Sequence, residues 1–146
     1  MSSLETFKAS FKGDIVTQAD AGYETAIARW AMNAARRAKV VAFVKDESDV
    51  ASAIKYAQTE KLPIAVKSGG HSASGTSSQT DGLVIDLSRY LAGARVDPEK
   101  KLGYVGGGAI WETVDKEVIK YGLASVGGTV NHVSAVANTC ASGTLN

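Results

Sequence analysis

Two short apolar runs constrain the fold most. They are Val40-Val41-Ala42-Phe43-Val44 and Ile64-Ala65-Val66-Lys67, and a glycine pair follows the second. β-branched runs of this length, bounded by turn signals, read as buried strands. Between them, Asp46-Glu47-Ser48-Asp49 opens a helix, because acidic side chains in a first turn complement the helix dipole. Val50, Ile54 and Ala57 are its expected inner face, and Leu62-Pro63 ends it. Strand, helix and strand within about 30 residues make a βαβ unit, right-handed with parallel strands. Gly69-Gly70-His71 then falls at the carboxyl end of a parallel strand, where open α/β sheets bind ligands. A glycine pair there lets backbone N–H groups turn towards an anion with no Cβ in the way. His71 is placed to touch whatever that anion carries.

The rest of the chain changes character at this point. Of 15 glycines, 13 lie at or after Gly69, so the second half reads as strands joined by tight turns. Residues 1–22 have weak periodicity and are expected to form an extended or partly ordered arm. Ile27, Trp30 and Ala34 recur at helical spacing and predict a helix from Tyr23 to Ala38. Ser72 to Asp81 is a polar loop, and Leu83-Val84-Ile85-Asp86-Leu87 is a further strand. Asp97-Pro98-Glu99-Lys100 between Ala94–Val96 and Leu102–Val105 reads as a hairpin. Ala109 to Tyr121 is a third helix with Ile110, Val114 and Val118 on one face, capped by Gly122. Leu123–Val126 is strand-like. The expected division is an arm and helix over 1–35 and one domain over 36–146.

Bulk properties exclude several classes. The 146 residues suffice for one domain with a core, and a net charge of +1 offers no reason to expect nucleic acid or an anionic membrane. Cys140 is the lone cysteine, so no intrachain disulfide forms. The start, Met1-Ser2-Ser3-Leu4-Glu5-Thr6, lacks the basic and apolar pattern of a signal peptide, and no apolar run approaches the ~18 residues of a membrane span. A soluble, cytoplasmic protein is expected.

Several chemistries also fall away. No Gly-Lys-[Ser/Thr] follows the glycine pair, so it is not a P-loop, and no G-x-G-x-x-G opens a helix. Two histidines and one cysteine offer no pair at metal-ligand spacing. The serines of the loop, Ser72, Ser74, Ser77 and Ser78, lack a G-x-S-x-G elbow and read as loop hydroxyls. Cys140 reads as incidental rather than as a nucleophile.

Three blocks, in order, resemble the amino-terminal part of FAD-linked oxidases of the vanillyl-alcohol oxidase and berberine bridge enzyme type. The first is Val66-Lys67-Ser68-Gly69-Gly70-His71-Ser72, with Asp81–Ser88 after it. The second is Val105-Gly106-Gly107-Gly108-Ala109-Ile110-Trp111. The third runs from Gly122 to His132 and contains Gly127-Gly128-Thr129-Val130. The likeness spans residues 15–132 and implies an α+β fold of the PCMH type, a βαβ-containing subdomain followed by the start of a mainly antiparallel one.

The resemblance implies FAD as cofactor. Lys67, Ser68, Gly69, Gly70, His71 and Ser72 match the segment that wraps the FAD diphosphate with backbone N–H groups. Lys67 stands where the family usually has Arg, which keeps the charge and loses the bidentate fork. His71 matches the histidine that commonly bonds the flavin 8α-methyl carbon as a neutral imidazole. Gly128, Thr129 and Val130 match the loop near the flavin ring. Val130 replaces the cysteine of bicovalent members, so at most one link is expected. Gly107 and Gly108 either let the chain pass close to a cofactor or end a strand. Trp111 reads as a packing residue and His132 as a surface or structural one.

After His132 the family's glycine run is replaced by Val133-Ser134-Ala135-Val136-Ala137-Asn138, and the sequence ends at Asn146. The expectation is a truncated FAD-binding fragment, inactive alone, of an enzyme that moves a hydride from a small organic substrate to flavin and on to oxygen. The alternative is a non-catalytic remnant without stable FAD binding, acting only through partner contacts. No catalytic residue is named.

Overall fold

The computed structural model describes residues 2–135, so Cys140 and the altered tail beyond Ala135 lie outside the described residues. A four-stranded sheet comes first. Its strands are β1 (Asp14–Thr17), β2 (Val40–Phe43), β3 (Ile64–Lys67) and β4 (Leu83–Asp86), in the order β1-β2-β4-β3. β2 and β3 both run parallel to β4, while β1 pairs antiparallel with β2. The βαβ strands are therefore parallel as expected, but β4 lies between them. Burial explains the order. Every residue of β2 and β4 is buried, which suits central strands, whereas Val66 of β3 is exposed at an edge.

Helices cover both faces. Val40, Ala42 and Val44 face α1 (Ser3–Ser10) and α3 (Glu47–Thr59), packing with Phe7, Ala53, Tyr56 and Ala57. Val41 and Phe43 face the other way, onto Tyr23, Ala26 and Ile27 of α2 (Tyr23–Ile27). This alternation is the period of two of a strand.

Three expectations are corrected here. Residues 1–22 are no extended arm: Ser2 Oγ accepts the Glu5 N–H to cap α1, the Phe7 ring stacks on Tyr56 at 4.4 Å, and Asp14–Thr17 joins the sheet. The helix expected over Tyr23–Ala38 stops at Ile27, and only a 3-10 turn, Met32–Ala34, follows. The inner face of α3 is turned only in part, since Ala57 is buried and Val50 packs against the core as expected. Asp49, Ala53, Tyr56 and Ala57 are buried, while Ile54 is 38% exposed. Asp49 points inward because its carboxylate accepts the N–H groups of Lys12, Gly13 and Lys45 at 2.9–3.0 Å. The Asp46 side chain caps the helix through the Asp49 N–H.

The second layer begins with the expected hairpin, β5 (Ala94–Asp97) and β6 (Leu102–Val105), antiparallel with Arg95 opposite Tyr104. The Arg95 guanidinium lies 3.7 Å from the Tyr104 ring centroid. α4 (Trp111–Val118) and a 3-10 turn to Tyr121 follow, and Gly122 closes them with φ of 67°. Trp111, Val114 and Val118 pack with Ala135, Ala94 and Val96. Leu123–Val126 forms no strand, because it finds no ladder partner among the described residues. A Cβ on Gly108 would lie 2.0 Å from the Leu87 carbonyl oxygen, so this glycine sets how closely the two layers meet.

Candidate functional site

The chain leaves β3 at Lys67 and turns through Ser68-Gly69-Gly70 before His71. Gly70 has φ of 70°, a region that disfavours any residue with a Cβ. Its carbonyl accepts the Trp30 N–H at 3.3 Å. The Gly69 N–H donates to Ser134 Oγ at 2.8 Å, which ties the turn to the second layer.

Beside the turn lies a cleft of about 480 Å³, with Ser68, Gly70, His71 and Ser72 on one wall. Thr76 and Ser77 of the polar loop form another, and Leu87, Gly107, Val133 and Ser134 complete it. Ser68 Oγ and Ser77 Oγ are buried with no hydrogen-bond partner among the described residues. Buried hydroxyls are rarely left so, and two of them on one cleft point to a ligand rich in acceptor oxygens. Among the described residues no Lys, Arg, Asp or Glu lines the cleft.

Of the predicted residues, Ser68, Gly70, His71 and Ser72 come together here. Gly69 sits behind them, held by Ser134. The Lys67 side chain leaves the cleft, its ammonium lying 2.9 Å from Asp86 and 3.0 Å from Ser88 Oγ. Gly128, Thr129 and Val130 do not line the cleft. Gly128 lies against the Trp111 indole, where a Cβ would come within 2.8 Å of Nε1, and Val130 is exposed. That contact agrees with the packing role read for Trp111.

The same loop reaches the turn through His132, whose ring centroid is 4.5 Å from that of His71. On its other side His71 stacks on Trp30 at 4.9 Å and an interplanar angle of 22°. Burial, and then the neighbouring His132, lower the His71 pKa, which favours the neutral imidazole. Sequence reasoning missed Trp30, Ser77 and Ser134. It placed Trp30 on a helix face, took Ser77 as a loop hydroxyl, and had no signal for Ser134, which is 65 residues from its partner Gly69.

Two unsatisfied hydroxyls and a turn with no Cβ in the way suit the oxygens of a phosphate group, while the apolar walls from Val66, Leu87 and Val133 suit an uncharged part of a ligand. The profile of a family described as "FAD binding domain" matches residues 38–145. The chain belongs to this FAD binding domain family.

Among its relatives, (R)-6-hydroxynicotine oxidase of Paenarthrobacter nicotinovorans is 32% identical over 128 residues, covering 88% of this chain and 28% of that protein. The crystal structure of 6-hydroxy-D-nicotine oxidase from Arthrobacter nicotinovorans superposes with a TM-score of 0.83 at 31% identity, over 86% of this chain and 28% of that one. A carbohydrate oxidase from Microdochium nivale shares the fold, with a TM-score of 0.77 at 22% identity over 91% and 29% of the two chains. The chain thus spans under a third of the length of these relatives. The expected α+β FAD-binding fold and its cofactor, FAD, agree with these matches. Among the described residues no helix is long and apolar enough to cross a membrane.

Proposed function

We propose that this FAD binding domain holds the FAD diphosphate in the cleft beside Ser68–Ser72, as part of an oxidoreductase acting on a small organic substrate. The observation that carries the reading is the pair of buried, unsatisfied hydroxyls, Ser68 Oγ and Ser77 Oγ, on the cleft walls. FAD held there would supply the redox chemistry, hydride transfer from substrate to flavin and reoxidation by oxygen. Gly70 lets the chain approach the cofactor, and the hydroxyls of Ser68, Ser72 and Ser77 donate to its anionic oxygens. His71, neutral between Trp30 and His132, is the residue for a single covalent attachment. Gly128, Thr129 and Val130 form the ring-side rim next to His132. The substrate pocket and the base are assigned no residue in this span.

A non-binding remnant is the second reading, and one observation favours it. Ser134 Oγ already occupies the Gly69 N–H that would face a phosphate. Titration with FAD, read by flavin fluorescence, separates the two. Binding is expected, with yellow colour that stays with the polypeptide after acid denaturation and is lost in His71→Ala. A protein that stays colourless and leaves FAD fluorescence unchanged overturns the proposal. Colour released by acid removes only the covalent role.

A further inference from the structure

We infer that Arg29 and Trp30, which precede the family match at residue 38, act as one clamp that sets the spacing of the cleft walls and so positions the FAD site. This rests on the reading of the cleft as the FAD site. Arg29 is only 9% exposed, and no carboxylate among the described residues lies at ion-pair distance from it. Burial of the guanidinium is costly and lowers its pKa, offset in part by the charge of Asp86 beyond ion-pair distance. Its hydrogen bonds show what it holds. Nε and one terminal nitrogen donate to the Ser77 carbonyl at 3.2 and 2.6 Å, fixing the polar loop that carries the Ser77 hydroxyl. The other terminal nitrogen donates to the carbonyls of Ile27 and Ala28 at 3.0 and 2.7 Å, closing the end of α2. One planar fork therefore joins the first-layer helix to one wall of the cleft, a reach that the point charge of lysine lacks.

The next residue holds the opposite wall. The Trp30 N–H donates to the Gly70 carbonyl, and its indole stacks on His71. The ring is 64% exposed, so burial in the core does not account for its placement. The Gly70 backbone in turn lies on the Arg29 stem, where a Cβ would sit 3.2 Å from Arg29 Cδ. Two consecutive residues thus grip both walls. They are positioning residues, because neither is among the residues that line the cleft.

The test uses hydrogen exchange on the full 146-residue chain without cofactor, together with FAD titration. Arg29→Lys is expected to speed exchange at Gly69, Gly75 and Ser78 about tenfold while β2 keeps its protection. It should also weaken FAD binding about tenfold. Trp30→Leu is expected to remove the ring-current shift of the His71 ring protons and to weaken FAD similarly, and Trp30→Phe to restore both. Unchanged local exchange in Arg29→Lys overturns the clamp, whether or not FAD binds. Faster exchange with unaltered FAD affinity overturns its positioning role. Wild-type protein that binds no FAD, with faster local exchange in the variants, upholds the clamp and removes the FAD reading instead.

Discussion

The Lys67 ammonium lies 2.9 Å from Asp86 Oδ2, a carboxylate with no exposed surface at the carboxyl end of the central strand. The contact is ionic, off the angle of a hydrogen bond. Asp86 Oδ1 accepts from the backbone and hydroxyl of Ser88 at 2.8 and 2.6 Å. The ammonium is taken up by Asp86 and Ser88 Oγ, so Lys67 serves the sheet rather than the cleft.

Lys67→Met leaves the buried Asp86 carboxylate without its cation and is expected to destabilise the fold by about 3–5 kcal/mol. Urea unfolding measures this. Because the ammonium faces away from the cleft, FAD affinity measured under folded conditions should stay within about twofold of wild type. A stable Lys67→Met protein with sharply weaker FAD binding would reverse the assignment.

The lowered pKa of His71 carries a sign. The folded state holds the proton less tightly than the unfolded one, so the neutral ring contributes stability above the unfolded value near ~6.5. That contribution is lost as pH falls from there through the folded-state value. It is small, since the ring is part-exposed. Proton NMR should show His71 titrating below an unperturbed histidine. In His132→Gln the value should rise only part of the way back, because burial is the larger cause. A His71 that titrates at or above the ordinary value contradicts the stacked arrangement.

In the proposed FAD site the donors are all uncharged. With no Lys or Arg among its lining residues, FAD affinity is expected to change less than about threefold between about 50 and about 500 mM salt. Equilibrium titration at several salt concentrations measures it. A loss of tenfold or more would mean that a cation outside the described lining touches the cofactor.

What could be read from the sequence was local. Val40–Phe43 and Leu83–Asp86 are all-apolar or nearly so, and they form the two central strands. The Asp97-Pro98 turn gave away its hairpin, and Ser68, Gly70, His71 and Ser72, adjacent in sequence, line one cleft. What escaped was set by distant partners. The insertion of β4 between β2 and β3 depends on pairing order, which no local pattern encodes. The end of α2 depends on Arg29 taking its carbonyls and on Trp30 leaving to stack on His71. Gly128–Val130 follow the Trp111 packing surface, so similarity in sequence to a ring-side loop did not bring them into the cleft.

Asp49 is the plainest case of such a distant partner. In sequence it reads as one more acidic residue in a first turn, yet it is 1% exposed and serves three backbone N–H groups from two other segments. Lys12 and Gly13 lead into β1, and Lys45 follows β2, so this one carboxylate fastens the edge strand and the helix start together. Asp49→Ala strands those donors in a buried place, and each such loss costs about 1–3 kcal/mol without full additivity. An overall destabilisation of about 3 kcal/mol or more is expected by urea unfolding. Asp49→Asn should recover part of it, since its single carbonyl oxygen can serve some of the three donors. Hydrogen exchange at Gly13 and Lys45 should rise in both variants, more in Ala than in Asn. An alanine variant as stable as wild type would mean that water replaces the carboxylate, and that β1 is held by its ladder with β2 alone.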